Sequence, residues 1–257
     1  MTYRKTKHLY TILNTDSSIP ITDNNKMQKH THKEMVIIEG IYLYFPSGLD
    51  YREKVLIYLS RNLGRKVTIN AISEALGLAY GYLHSTIHKL NAEGIISIEE
   101  VGNYKLVSLN LKNMLTIAEL ARLSVKIAQS IIPKAKSLKK IPLLIELLRK
   151  HKGIVSIVLF GSQARLQAKE TSDTDLLVIV QERTSAQREL VNKIRSETRA
   201  FEIKEFIKIQ EFLVDTEMVK SMLSSKEDIN VGKEALKEGI VLEGFENYWR
   251  LIGDILG

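Results

Sequence analysis

The chain contains no cysteine, which excludes disulfides and thiolate metal ligands and points to a reducing, cytoplasmic setting. It has no apolar run near the roughly 18 residues that cross a bilayer, so no membrane partner is expected. Met1 to Asp16 is polar and holds no stretch of the signal-peptide kind. No segment repeats. What is present suits folded protein: 44% hydrophobic and 26% charged residues over 257 positions, a length for two modest domains.

Charge is unevenly spread. Residues 1–140 hold 20 Lys and Arg against 11 Asp and Glu, a net of +9, while residues 141–257 hold 17 against 19, a net of −2. A basic half joined to a slightly acidic one suggests that the first half meets a polyanion. A solvated Lys-rich surface would give the same numbers. Residues 1–34 are polar and aperiodic and read as a disordered tail, within which His30-Thr31-His32 lacks the further ligands of a metal site. Glu34 to Phe45 reads as a strand or short hydrophobic lead-in.

From Asp50 the pattern is helical. Val55, Leu56, Leu59 and Leu63 recur on one helix face, ended by Gly64. Thr68 caps a second helix burying Ile69, Ile72, Ala75 and Leu76, and Gly77 supplies the turn after it. A third helix from Tyr80 to Ala92 buries Leu83, Ile87 and Leu90. Two strands, Ile95 to Glu100 and Tyr104 to Asn110, then flank Gly102-Asn103.

This order, carried by Val67 to Leu109 and above all by LNAEGIISIEEVGNYKLVSLN, resembles the winged helix-turn-helix modules of bacterial and archaeal regulators. The resemblance implies duplex DNA as a partner, met by the outer face of the third helix: Tyr80, Tyr82, His84, Ser85, His88 and Lys89. Lys89 is the one permanent cation there, and phosphate neutralisation supplies most non-specific affinity, so a protein-interaction role stands beside the DNA one. Leu115 to Ile132 forms a further helix with Ile117, Leu120, Ala121, Ser124, Ala128 and Ile131 on one face. That stripe is a candidate seam for a homodimer or for packing on the wing. Lys112 to Lys140, with seven cations and one acid, reads as a basic helical linker, and a helix over Leu143 to Lys150 follows.

The chemistry lies beyond it. Ile154 to Phe160 is a β-rich apolar run ending in Gly161-Ser162, and Asp173 and Asp175 open a second such run. Residues two apart on a strand point to one side, so the carboxylates share an edge while Leu176, Val178 and Val180 bury. Paired carboxylates resist ionising together unless a cation lies between them, and hard oxygen ligands of this kind suit Mg²⁺. Glycine lets backbone approach a phosphate, and the serine hydroxyl and nearby N–H groups can donate to it.

GSQARLQAKETSDTDLLV resembles the minimal nucleotidyltransferases of the DNA polymerase β-like superfamily through Gly161, Ser162, Arg165, Asp173 and Asp175. A glycine often follows that arginine in relatives, and here it is Leu166. The resemblance implies nucleotide binding by Gly161, Ser162 and Arg165, Mg²⁺ binding by Asp173 and Asp175, and a third carboxylate for a second ion. AFEIKEFIKI, residues 200–209, is the expected third strand. Glu205 among its isoleucines is favoured over Glu202 as the third catalytic acid, with absence of any such acid the alternative.

The expected protein is α/β: a winged helix-turn-helix at 48–111, a linker at 112–140, and a small mixed-sheet nucleotidyltransferase domain at 141–257. It would move a nucleoside monophosphate from an NTP, ATP foremost, to an acceptor hydroxyl. Two rivals are a transcriptional regulator whose nucleotidyltransferase fold senses nucleotide or is inactive, and an antitoxin that modifies a protein acceptor or toxin partner.

Overall fold

Helix boundaries follow from short capping signals. In the computed structural model, which describes residues 35–38, 41–135, 138–169, 171–181, 185–227 and 229–257, Asp50 opens α1 (Tyr51–Arg61) with a capping box. Its carboxylate accepts from the Glu53 amide at 2.8 Å, and Glu53 accepts in return from the Asp50 amide at 3.2 Å. Thr68 caps α2 (Ile69–Leu76), which ends on left-handed Gly77, and α3 (Tyr80–Ala92) buries Leu83, Ile87 and Leu90. The residues expected to form a tail, His30 and His32 included, lie outside the described residues.

Within the run over Glu34 to Phe45, β1 (Met35–Ile38) and β2 (Ile41–Tyr44) form an antiparallel pair of short strands. After α1, the two-residue β3 (Val67–Thr68) pairs with β5 (Tyr104–Leu109), which pairs in turn with β4 (Ile96–Val101). The sheet order is thus β3-β5-β4.

The four-stranded sheet carries the candidate site residues. Its order is β8-β7-β6-β9, formed by β6 (Ile154–Phe160), β7 (Thr174–Val180), β8 (Ile209–Asp215) and β9 (Ile240–Glu243). β6 runs antiparallel to both neighbours, whereas β7 and β8 are parallel. A parallel pair needs a crossover, supplied by α7 (Ser185–Glu205). The remaining helices are α4 (Met114–Ile131), α5 (Ile141–Leu148), the short α6 (Gly161–Ala164), α8 (Thr216–Ser224), α9 (Val231–Glu238) and α10 (Phe245–Leu256).

One expectation is corrected. Residues 200–209 are not a strand: α7 runs through Glu205 and turns at Phe206, whose φ is +55°. The third strand begins only at Ile209. α4 lies in the segment expected as a basic helical linker. It packs against α10, β9 and α1, burying Ile117, Leu120, Ala128 and Ile131, and Trp249 Nε1 donates to Ser124 Oγ at 2.9 Å. The stripe at 115–132, a candidate seam for a second copy or for packing on the wing, is covered within the chain, by α10, β9 and α1. One continuous set of buried side chains runs from Leu43 to Ile252.

Candidate nucleotide site and the exposed face of the third helix

β6 ends where Gly161 takes φ +68°, a left-handed conformation open to glycine at little cost. A second reason for glycine is space: an added Cβ would overlap the Asp175 Oδ2 atom. Phe160 is in register with Asp175 across β6 and β7, which sets the carboxylate directly over the Gly161 backbone. Asp173 lies immediately before β7, about half exposed, with Lys208 Nζ 4.0 Å from its Oδ1. Burial first, and then the charges of Asp173 and Glu234, push the Asp175 carboxyl above its ordinary range, with Arg165 opposing them. An acid held up in this way favours a cation. The Ser162 hydroxyl is half-buried and carries no protein hydrogen bond among the described residues. A cradle of bare backbone, a free hydroxyl and two crowded carboxylates fits one Mg²⁺-bound phosphate group.

Arg165 is more constrained than its phosphate role implies. Its Nη1 donates to Glu238 at 2.7 Å and to Glu234 at 3.0 Å, and its guanidinium lies 5.8 Å from the Tyr42 ring centre. Burial alone would lower its affinity for the proton, but the two carboxylates outweigh it and hold the cation. Gln167 Nε2 donates to the Tyr42 hydroxyl at 3.0 Å, so strand β2 touches this loop. Leu166, where glycine often stands in relatives, has φ +56°. A side chain there is strained by about 1–2 kcal/mol.

The third acid is where expectation and geometry part. Glu205 closes α7, and its carboxylate lies 3.1 Å from Lys140 Nζ. Glu202 accepts from the Ile209 amide at 2.9 Å and pairs with Arg199 at 3.2 Å. Neither joins the aspartates, and no group of three metal-ligating side chains forms among the described residues. The parallel register instead sets Gln210 beside Asp175. Paired residues of adjacent strands share a face, and the edge contact of Phe160 with Phe212 at 5.4 Å fixes that face independently. The neighbouring acid Glu211 pairs with Leu176 and belongs to the opposite face. Sequence reading missed Gln210 because it placed the strand too early. It missed Glu234 and Glu238, although their spacing of four on a short helix marks one face.

On α3, Tyr80, Tyr82, Ser85, His88 and Lys89 are exposed and His84 is half-exposed. Tyr82 lies 6.1 Å from Tyr51, and the Tyr80, His84 and His88 rings follow one another along the helix. Lys66 and Lys105 are already matched by acids of β4: Lys66 pairs with Glu99, and Lys105 lies 3.6 Å from Glu100. The surface is aromatic more than basic.

Residues 143–243 match the family described as Polymerase beta, Nucleotidyltransferase. The match covers 101 of the 257 residues and supports a nucleotidyltransferase-type part of the chain. No curated protein and no solved structure matches the chain. Among the described residues no helix is long and apolar enough to cross a membrane.

Proposed function

We propose that this chain binds ATP or another nucleoside triphosphate as its Mg²⁺ complex and acts mainly as a nucleotide-responsive regulator, with little nucleotidyl transfer of its own. Gly161 and Ser162 receive phosphate oxygens, and Asp173 and Asp175 take the ion, which supplies charge neutralisation on the triphosphate. Arg165 reaches phosphate by exchanging one of its glutamates for it. The observation that carries this reading is Gln210 beside Asp175. An amide there offers only a neutral oxygen, a weaker ligand for a second ion than a carboxylate.

In the same reading residues 48–111 act as a winged helix-turn-helix that meets duplex DNA through Tyr80, Tyr82, His84, Ser85, His88 and Lys89. With Lys66 and Lys105 matched by acids, few phosphates are neutralised, and the salt dependence of that binding is shallow. The nucleotide reading is tested by melting the protein with and without Mg²⁺-ATP. A native-state ligand raises Tm by mass action. Asp173→Asn with Asp175→Asn should abolish the rise, and an undiminished rise in that variant overturns the site.

A second reading, transfer of the nucleoside monophosphate to an acceptor hydroxyl on a protein such as a toxin partner, is favoured by Glu234. Its charge acts on Asp175 from α9, so it offers a third acid from a helix in place of a strand. Labelled ATP incubated with cell extract separates the two. Label appearing on extract proteins with wild type and lost with Glu234→Gln supports transfer over regulation.

A further inference from the structure

The outer face of α3 holds a grouping that the nucleotide site does not use. His84 and His88 are one turn apart, with Nε2 atoms 3.1 Å from each other and ring centroids 4.3 Å apart. Residues at this spacing share a helix face, so a regular backbone fixes their approach. Two neutral imidazoles can share one proton across the gap, with one ring donating and the other accepting.

With the proton of each ring on Nδ1, both Nε2 atoms present lone pairs, and these have the spacing of metal ligands. Nitrogens bound at about 2.0–2.1 Å stand about 3.3 Å apart around a tetrahedral ion. At neighbouring corners of a square plane they stand about 2.9 Å apart. The observed separation lies between the two.

We infer that His84 and His88 form a two-point chelate for a divalent transition ion that prefers imidazole: Zn²⁺, Ni²⁺ or Cu²⁺. The site is separate from the aspartate pair and independent of the nucleotide reading. α3 (YGYLHSTIHKLNA) carries no carboxylate, so nothing on the helix draws a hard, oxygen-seeking ion such as Mg²⁺. Tyr80, on the preceding turn, lies 5.8 Å from His84 ring to ring and limits the freedom of that imidazole. No third ligating side chain joins the pair among the described residues. Water fills the remaining positions, and the affinity is that of an open chelate, micromolar in class. The bound ion places two positive charges on a face whose permanent α3 cation is Lys89.

The test is calorimetric titration of the full chain with NiCl₂, without nucleotide. Two double variants are run beside it: His84→Ala with His88→Ala, and His30→Ala with His32→Ala, which removes the other closely spaced pair among the six histidines. Wild type and the His30/His32 variant should each bind one equivalent. Binding by the His84/His88 variant should be at least tenfold weaker. Equal isotherms for wild type and the His84/His88 variant, or no saturation in wild type, overturn the proposal. Leu83, Ile87 and Leu90 anchor α3 from its other face, so the exposed substitutions should leave the melting temperature unchanged. Should the double variant fail to fold, the imidazole NMR signals of wild type decide. Selective broadening of His84 and His88 by substoichiometric Cu²⁺ supports the chelate, and broadening confined to other histidines refutes it.

Discussion

Gly161 and Asp175 compete for the same space, and glycine yields it. The consequence is electrostatic: the carboxylate settles over backbone, partly out of water, with Asp173 and Glu234 near. Because burial and those charges raise its folded-state pKa, the unfolded chain releases this proton first. The Asp175 contribution to stability therefore falls as pH rises from the ordinary Asp range through the folded value. At pH 7 it is a standing cost. Asp175→Asn should raise the metal-free melting temperature, by roughly 2–4 °C for each kcal/mol relieved, while removing the response to Mg²⁺-ATP. A lowered metal-free Tm contradicts this electrostatic account. Phe206 is the second informative residue, left-handed at φ +55° and 94% exposed. Glycine there relieves about 1–2 kcal/mol of strain, offset in part by the unfolded chain's extra freedom. Phe206→Gly should stabilise by about 0.5–1 kcal/mol in urea unfolding; destabilisation would mean that the exposed ring has a partner.

Elements were legible where caps and turns announced them. Thr68, Gly77, Gly102-Asn103 and the Gly161 strand end lie where local chemistry demands them. Residues 200–209 misled because the isoleucines at 203, 207 and 209 also fit period-2 alternation, and the left-handed stop at Phe206 uses a residue that gives no such signal. The third-acid position followed the strand, so one misplaced element carried the candidate site with it. Long-range packing was illegible for a different reason. The α4 stripe is equally apolar whether it meets a second copy or α10, and sequence alone does not say which. α4 is also clamped to α1 by Glu53, which meets Arg122 at 3.0 Å and Lys126 at 2.9 Å. Burial would raise the Glu53 carboxyl, but hydrogen bonds from Lys126 and Arg122 outweigh it and hold it below the ordinary range. Its stabilisation is present at neutral pH and is lost as pH falls through that depressed value. Glu53→Gln should cost about 2 kcal/mol at pH 7, in the range for hydrogen bonds to charged groups. The difference from wild type should shrink in acid, as urea melts at pH 7 and pH 3 will reveal.

At the scale of the molecule, the basic N-terminal half and the acidic C-terminal half share side chains. Tyr42 lies against Arg165, Arg61 donates to the Leu236 carbonyl at 3.2 Å, and Trp249 reaches Ser124. Shared burial of this kind favours one cooperative transition. Far-UV dichroism and fluorescence of Trp249, the sole tryptophan, should therefore melt together, and separated midpoints would restore two independent bodies. In the proposed nucleotide site Asp173 and Asp175 would hold one ion, and Gln210 would stand where a second is held. Counting Mn²⁺ by EPR, with a non-hydrolysable ATP analogue saturating the protein, tests this without needing an acceptor. Mn²⁺ stands at the weak end of the divalent series for imidazole, so His84 and His88 do not enter the count. Wild type should hold one Mn²⁺ per bound nucleotide and Gln210→Glu two; two in wild type, or one in both, would contradict the account.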